Sequence, residues 1–245
     1  MPEDRRVAAA LRHVAQPRAH EYVAEQLRRL ILLRVAAPGD RLPYEQELAA
    51  LLGVSRATVT QALRRLEQEG LVNVRRGRGG GVFTRRVSTD GDDPAVVSEL
   101  RGTRDAIVAA AEARAIVEPS LAMLAASRVT HEALARLAGL NDELAAAQGD
   151  DHRFMRADTA FHLVVAEASR NVLLLDTVER SRLTLARALE ALPDSRAWHA
   201  RSVSQHGRVL AAIRAGEADA ARQAMADHVE ESNRAVRLML ATLHP

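Results

Sequence analysis

Residues 52–70 read LGVSRATVTQALRRLEQEG, two short helix-period runs separated by Gly53. In the second run Val59, Leu63 and Leu66 recur at spacings of 4 and 3, which predicts one buried helix face. The opposite face is polar and rich in hydrogen-bond donors. Two helices joined at a glycine, the second with an exposed polar start, are typical of a helix-turn-helix that enters a DNA major groove.

The neighbouring residues extend this pattern in both directions. A first helix is predicted over 19–35, a second over 44–52 that buries Leu48, Leu51 and Leu52, and a third over 56–69. Ser55 is placed to accept a backbone N–H as the cap of the third helix.

LVNVRRGRGGGVFTRR, residues 71–86, then predicts two short strands, 71–74 and 82–84, around a loop of arginine and glycine. This order predicts a winged helix-turn-helix over 18–86, preceded by an N-terminal tail of residues 1–17.

Charge and composition support a nucleic-acid partner for this part of the chain. Residues 1–86 carry 16 Arg against 9 Asp and Glu, a net charge of +7, whereas residues 87–245 carry 18 against 23, a net charge of −5. A basic front half favours a polyanionic partner. The sequence has no Cys and all 34 basic residues are Arg, which excludes thiolate zinc sites, lysine Schiff bases and a P-loop.

The candidate DNA-contacting residues lie at the end of the first predicted helix, on the second, at the start of the third and on the hairpin. Short side chains near the start of the third helix permit close approach to base edges, and arginine and glutamine have the donor geometry for bases or phosphates. Glycines in the hairpin allow its backbone to lie near a phosphate. The candidates are Arg34, Gln46, Ser55, Arg56, Thr58, Thr60, Gln61, Arg76, Gly77 and Arg78.

The stretch PGDRLPYEQELAALLGVSRATVTQALRRLEQEGLVNVRRGRGGGVF resembles the DNA-binding domain of GntR-family bacterial transcription regulators, and the resemblance covers residues 20–84. It implies DNA contacts by Arg34, Arg56, Thr58 and the wing-tip pair Arg76 and Gly77. Two positions depart from the family pattern. Gln46 stands where the family often has Arg, and Thr60 stands where the sequence VREAL is common, so the family's usual half-site does not transfer to this chain.

The second half of the chain is predicted to be entirely helical. TRRVSTDGDDPAVV at 84–97 lacks helical periodicity, and we place an interdomain linker at 87–97. The domain 98–245 follows, and its periodicity predicts helices over 98–127, 131–147, 152–169, 172–190, 196–215 and 217–243. The predicted fold class is therefore mainly α, with a helical bundle of about six helices behind the winged head.

Four polar groups stand out within this predicted bundle. Arg114 lies in the middle of an apolar stripe, where a guanidinium needs an anionic partner. Asp158 and His162 share one helix face at i and i+4. His206 and His228 lie on two stripes that fold back on each other at a turn. By contrast, we expect His199, near a helix start, at the surface.

One carboxylate and three imidazoles are ligands for Zn, Ni, Mn or Fe(II). A single His on an apolar stripe is usually a core residue, but three of them with a carboxylate predict a divalent metal site at Asp158, His162, His206 and His228. A buried ion near Arg114 would attract a small carboxylate, because the ion supplies charge and the guanidinium a bidentate fork.

RAIVEPSLAMLAA from Arg114, DTAFH and ASRN, together with the hairpin from His206 to His228, resemble the FadR C-terminal ligand-binding domain over about residues 98–240. The resemblance implies a metal that orients an organic-acid effector. Asn171 is then a candidate effector contact, and a helix-end cap is an equally good reading of it.

The sequence therefore predicts a homodimeric, metal-dependent repressor that binds a palindromic operator and is controlled by a small carboxylate. No stretch is long and apolar enough to span a membrane and the first residues do not resemble a signal peptide, so we expect a cytoplasmic protein. We also expect a regulator and not an enzyme. Two alternatives stay open. One is a metal-dependent enzyme acting on an organic acid, and the other is an effector-blind DNA-binding protein whose histidines are structural.

Overall fold

The computed structural model describes residues 19–32, 36, 38–75, 77, 79–85, 93–192 and 195–243. These residues contain ten α-helices and one two-stranded antiparallel sheet. The chain divides into two compact units, and the boundary that follows the sheet lies between residues 85 and 86. Among the helices of the described residues, none is long and apolar enough to cross a membrane.

The first unit contains the helix-turn-helix. Its helices are α1 (Ala19–Leu32), which belongs to this unit as far as Arg28, α2 (Glu45–Leu52) and α3 (Arg56–Gln68). Leu48 of α2 and the predicted stripe Val59, Leu63 and Leu66 of α3 are all buried. Leu51 was expected in the core, but its side chain is 75% exposed, because the last turn of α2 directs this position away from α3.

The connection between α2 and α3 depends on two residues that the sequence singles out. Gly53 has φ +64°, a left-handed conformation that favours glycine, and its N–H donates to Ala50 O. Ser55 precedes α3, and its Oγ accepts from the backbone N–H of Thr58 at 3.1 Å. The side-chain cap predicted from the sequence is therefore present.

The hairpin after α3 is the wing. Strand β1 (Val72–Arg75) pairs with β2 (Gly81–Thr84) in antiparallel register, from Val72 opposite Thr84 to Arg75 opposite Gly81. An isolated antiparallel bridge pairs Arg41 with Phe83 of β2. The Arg75 guanidinium lies 4.6 Å from the Phe83 ring centroid, which is a cation–π contact.

The second unit is the helical bundle, and its described part has seven helices. They are α4 (Pro94–Gly102), α5 (Arg104–Arg128), α6 (His131–Ala146), α7 (Asp151–Ala168), α8 (Val172–Glu190), α9 (Ser195–Ala215) and α10 (Ala218–Thr242).

The start of the bundle differs from the prediction at two points. Asp93 caps α4 by accepting from the N–H of Ala95 at 2.9 Å, so helical structure begins inside the range predicted as linker. The helix predicted over 98–127 is in fact two helices, because Thr103 leaves the helical conformation and ends α4.

Helix α5 lies at the centre of the bundle and packs against α7, α8, α9 and α10, while α6 packs on α7 and α9. The core is built from small and aliphatic side chains with few aromatics, as the composition predicts. Phe154 and Phe161 of α7 are fully buried in two separate apolar clusters. Polar groups on the inner faces of the helices are therefore surrounded by a dry, well-packed interior.

Candidate functional site

The first candidate site is the exposed start of α3. The side chain of Arg56 is 72% exposed, and its Nε donates to Glu45 Oε2 at 3.0 Å. The hydroxyl of Thr60 donates to the backbone oxygen of Arg56 at 3.0 Å, and Ser55 and Thr58 join their hydroxyls at 2.8 Å. Gln61 is exposed. The threonine and serine hydroxyls thus stabilise the helix start, while Arg56 and Gln61 face outward.

A groove of about 700 Å³ lies between the starts of α2 and α3 and the wing. Gln46, Arg56, Arg75 and Gly77 line it, so the structure brings together predicted residues from all three elements. Gly77 has φ +97°, which a side chain would strain. Three of the predicted DNA-contacting residues, Arg34, Arg76 and Arg78, lie outside the described residues.

The second candidate site is inside the bundle, where four side chains from three helices converge. Asp158 and His162 come from α7, His206 from α9 and His228 from α10, and we call these four residues the histidine cluster. One ligand atom from each lies within 4.8 Å of all the others, and all four residues are buried.

Three imidazole Nε2 atoms face one another in this cluster. His162 Nε2 lies 3.1 Å from His228 Nε2 and 3.3 Å from His206 Nε2. Asp158 Oδ1 completes the group, at 3.4 Å from His206 Nε2 and 3.9 Å from His162 Nε2. The rings of His206 and His228 are 4.3 Å apart, at the matching depth that the folded-back hairpin predicts.

Each of the three imidazoles has an acceptor on its other nitrogen. His162 Nδ1 bonds to Glu118 Oε2, His206 Nδ1 to Ser202 O at 2.8 Å, and His228 Nδ1 to Gln205 Oε1 at 3.0 Å. These partners hold the proton on Nδ1 and leave each Nε2 with a free lone pair. Three lone pairs and a carboxylate oxygen therefore point at one another with no donor among them.

Burial keeps these imidazoles neutral. It lowers the pKa of His162 and His228 well below the usual value and also lowers that of His206. Burial acts in the opposite direction on Asp158, but the positive charge of Arg182 beside it outweighs that effect and brings the pKa of Asp158 down to about 2. At neutral pH the cluster thus offers one carboxylate and three neutral nitrogens.

This arrangement passes a physical test for a metal site. Converging acceptors repel one another unless a cation lies between them, and buried polar groups are otherwise paired. The donor set of one oxygen and three nitrogens suits Zn²⁺, Ni²⁺, Mn²⁺ or Fe²⁺. The outer contacts on all three Nδ1 atoms are the kind of support that metal-ligating histidines have.

Two further buried residues, which are not among the predicted site residues, contact the cluster. Glu118, on α5, bonds His162 and accepts from Arg114 Nε at 3.0 Å. Arg182, on α8, donates its Nη2 to Asp158 Oδ2 and to Thr159 Oγ1. Arg182 was detectable, because Val178, Arg182 and Leu185 follow the same 4 and 3 spacing that drew attention to Arg114.

The structure also gives definite positions to the remaining predicted residues. Arg114 is 1% exposed, and its anionic partner is Glu118 on its own helix. The side-chain oxygen of Asn171 accepts from the backbone N–H groups of Leu173 and Leu174, which makes it the cap of α8. An effector contact by Asn171 stays a prediction.

The expectation that His199 lies at the surface is wrong. The residue is 1% exposed, and its ring stacks on Phe154 with the centroids 3.7 Å apart. The imidazole, near the start of α9, is buried because it packs against Phe154 of α7 and because Gly149 N–H, just before α7, donates to its Nδ1 at 3.3 Å.

Comparison with known families matches both halves of the chain. Residues 19–82 match the bacterial regulatory proteins of the gntR family, and residues 109–231 match the FCD domain. The first range contains Gln46 and the start of α3, and the second contains the whole histidine cluster.

Full-length relatives agree with these matches. The HTH-type transcriptional repressor NanR of Cronobacter sakazakii is 32% identical, over 89% of this chain and 85% of the relative. The Uxu operon transcriptional regulator of Escherichia coli is 32% identical, over 87% of this chain and 84% of the relative. Among solved structures, E. coli McbR/YncC has a TM-score of 0.54 at 20% identity, covering 92% of this chain and 99% of that chain, which shows a shared fold.

Proposed function

Because the chain belongs to the GntR family of bacterial regulatory proteins and carries an FCD domain, we propose that it is a metal-dependent repressor controlled by a small carboxylate. The coarser part of this statement follows from the family, since its members here are DNA-binding transcription regulators and not enzymes. Repression, the metal and the effector are the proposed part. One of the relatives is itself a repressor, which supports the direction of control.

The single observation that carries the proposal is the convergence of three imidazole Nε2 atoms and one carboxylate oxygen of Asp158 in the bundle interior. In our proposal Asp158, His162, His206 and His228 hold one divalent ion. When bound, such an ion supplies positive charge and open coordination positions, both of which attract a small carboxylate.

The DNA-binding half of the proposal assigns the groove between α2, α3 and the wing to the operator. Gln46 and Arg56 line this groove with donors that fit base edges or phosphates, and Gly77 lets the wing backbone approach the duplex. One recognition helix reads only a half-site, so we propose a homodimer on a palindromic operator.

Control of DNA binding then requires that effector binding changes the relative populations of two conformations that differ in operator affinity. The side chains of the histidine cluster are at most 5% exposed, so a ligand reaches them only when the surrounding helices rearrange. This burial couples effector binding to a change in helix packing. The resulting shift in operator affinity is limited by the difference in effector affinity between the two conformations.

Metal analysis of protein purified without a histidine tag tests the proposal. We expect one equivalent of a transition metal per chain, and loss of it in His206→Ala. His131→Ala, which removes an exposed imidazole at the start of α6, is the matched control and keeps the metal.

The DNA readout uses duplexes selected from a random pool by the wild-type protein. We expect His206→Ala to bind these duplexes but to lose its response to a panel of small organic acids. If wild-type protein binds DNA yet takes up no Zn²⁺, Ni²⁺, Mn²⁺ or Fe²⁺, the proposed metal and effector sites are disproved and an effector-blind DNA-binding protein remains.

A further inference from the structure

Two buried arginines lie beside the histidine cluster, and the structure treats them differently. Arg114 of α5 is 1% exposed and Arg182 of α8 is 2% exposed. A guanidinium is always charged in proteins and has five N–H donors, so its value to a ligand depends on which donors are already used.

Arg114 pairs two of its three side-chain nitrogens within the protein. Its Nε donates to Glu118 Oε1 at 3.0 Å and its Nη1 to Ser232 Oγ at 3.3 Å. The same Glu118 accepts from the Nδ1 of His162. Arg114 therefore acts on the cluster through Glu118, by orienting the carboxylate that holds His162.

Arg182 has donors left over. Its Nη2 bonds to Asp158 Oδ2 and Thr159 Oγ1, but its Nε and Nη1 have no hydrogen-bond partner among the described residues. The nearest carboxylate oxygen recorded for Nη1, Glu118 Oε1, is 4.0 Å away, which is an ion pair without a hydrogen bond. Unpaired donors on a buried cation are costly, and such groups are usually explained by a ligand or an ion.

These free donors lie next to the proposed metal ligands. Asp158 faces Arg182 with Oδ2 and the imidazoles with Oδ1, so only this one carboxylate separates the guanidinium from the point where the ligand atoms converge. Of the two buried arginines, Arg182 is thus the one that donates directly to a proposed metal ligand.

The balance of charges around the cluster favours an anion once a divalent ion is bound. The two positive charges of Arg114 and Arg182 balance the two negative charges of Glu118 and Asp158. A divalent ion in the cluster adds two buried positive charges, and buried charge is stable only when it is paired.

We propose that Arg182, and not Arg114, binds the carboxylate of the effector, through its free Nε–H and Nη1–H groups. This inference rests on the proposed function and names the anchoring residue of that site. The ligand class that follows is a small carboxylate with at least one ionised group, since a neutral amide of the same shape lacks the charge that pairs with the guanidinium.

Acetate and its neutral analogue acetamide are the probes, and full-length protein loaded with Co²⁺ is the reporter, because its visible spectrum changes when a ligand enters the coordination sphere. We expect acetate, but not acetamide, to change the wild-type spectrum. Arg182→Lys and Arg182→Gln should bind one Co²⁺ and raise the acetate Kd by about 10- to 100-fold, the effect of losing a charge-assisted hydrogen bond. Arg180→Lys, an exposed position two residues earlier on α8, should leave that Kd unchanged.

Several results overturn the inference. An unchanged acetate Kd in both Arg182 variants would show that the guanidinium does not meet the ligand. Loss of Co²⁺ binding in both would reduce Arg182 to a support for Asp158. A larger effect of Arg114→Lys would return the role to that residue. Wild-type protein that binds Co²⁺ but ignores acetate contradicts the anchoring role, whereas failure to bind Co²⁺ at all contradicts the proposed function.

Discussion

His162 and His228 turn their Nε2 atoms toward each other at 3.1 Å, although each imidazole already has an acceptor at its Nδ1. Two neutral imidazoles in this state cannot hydrogen-bond to each other, because neither has a proton left on Nε2. The divalent ion that we propose for the histidine cluster would account for this contact. This relationship gives the proposed site its first quantitative test.

Glu118→Gln should lower the affinity for Zn²⁺ by roughly 10- to 100-fold, the usual cost of losing an outer partner of a ligating histidine. The amide keeps the shape of the side chain but loses the charge that holds His162 and Arg114. Competition with a chelating dye measures the affinity. Glu112→Gln, exposed on the same helix, is the control, and equal affinities in the two variants would exclude a role for Glu118.

Arg56→Ala should weaken operator binding by about 1–3 kcal/mol if the guanidinium reads a base. The side chain is 72% exposed and lines the groove beside the wing. Gel-shift titration at fixed salt measures the change, and Zn²⁺ affinity should stay at the wild-type value. Arg222→Ala removes the same charge from an exposed position on α10. A loss of DNA binding of the same size in that variant would contradict a specific contact by Arg56.

Ser55→Ala should reduce the free energy of unfolding of the first unit by about 1 kcal/mol, because the N-cap bond to Thr58 N–H is lost. Urea denaturation followed by circular dichroism checks the value. Ser120→Ala removes a hydroxyl that only donates back to Ile116 O within α5, and its effect should stay within about 0.5 kcal/mol. The prediction fails if the two variants are equally stable.

His199 should make the protein less stable in mild acid. Burial lowers the pKa of His199 below its ordinary value near 6.5, although Asp151 partly opposes this. The unfolded chain therefore binds a proton at a higher pH than the folded chain does. The stability that His199 contributes is complete above pH 6.5 and is lost as the pH falls from 6.5 toward the lowered pKa.

In His199→Gln the loss of stability between pH 7.5 and 5.5 should be smaller than in wild type. Urea denaturation at both pH values measures this difference. His131→Gln, at the exposed start of α6, is the matched control. A steeper pH dependence in His199→Gln than in wild type would reverse the sign and contradict the assignment.

Much of the winged head follows from short-range patterns. The stripe of Val59, Leu63 and Leu66, the glycine turn and the Ser55 cap are properties of neighbouring residues, and the structure confirms each of them. Leu51 shows where this reasoning stops. Its spacing from Leu48 does not reveal that the last turn of α2 has no neighbour to cover it, because that depends on helix packing.

For the histidine cluster, too, short-range patterns predict one part of the arrangement and helix packing decides the rest. The spacing of Asp158 and His162, and the turn between His206 and His228, predict which residues face inward and at what depth. Which polar groups surround them depends on how α5 and α8 pack against α7. For this reason the apolar stripe around Arg114 does not reveal Glu118, although this carboxylate lies one turn along the same helix and pairs with Arg114.

The histidine cluster and the charged side chains around it come from five of the seven helices described in the second unit: α5, α7, α8, α9 and α10. If α7 or α8 detached, the Asp158–Arg182 pair would break and leave a charge buried without its counterpart, and if α9 or α10 detached, the cluster would lose an imidazole. Partial melting of this half is therefore disfavoured, and calorimetry should record a single endotherm for it instead of a stepwise loss of individual helices.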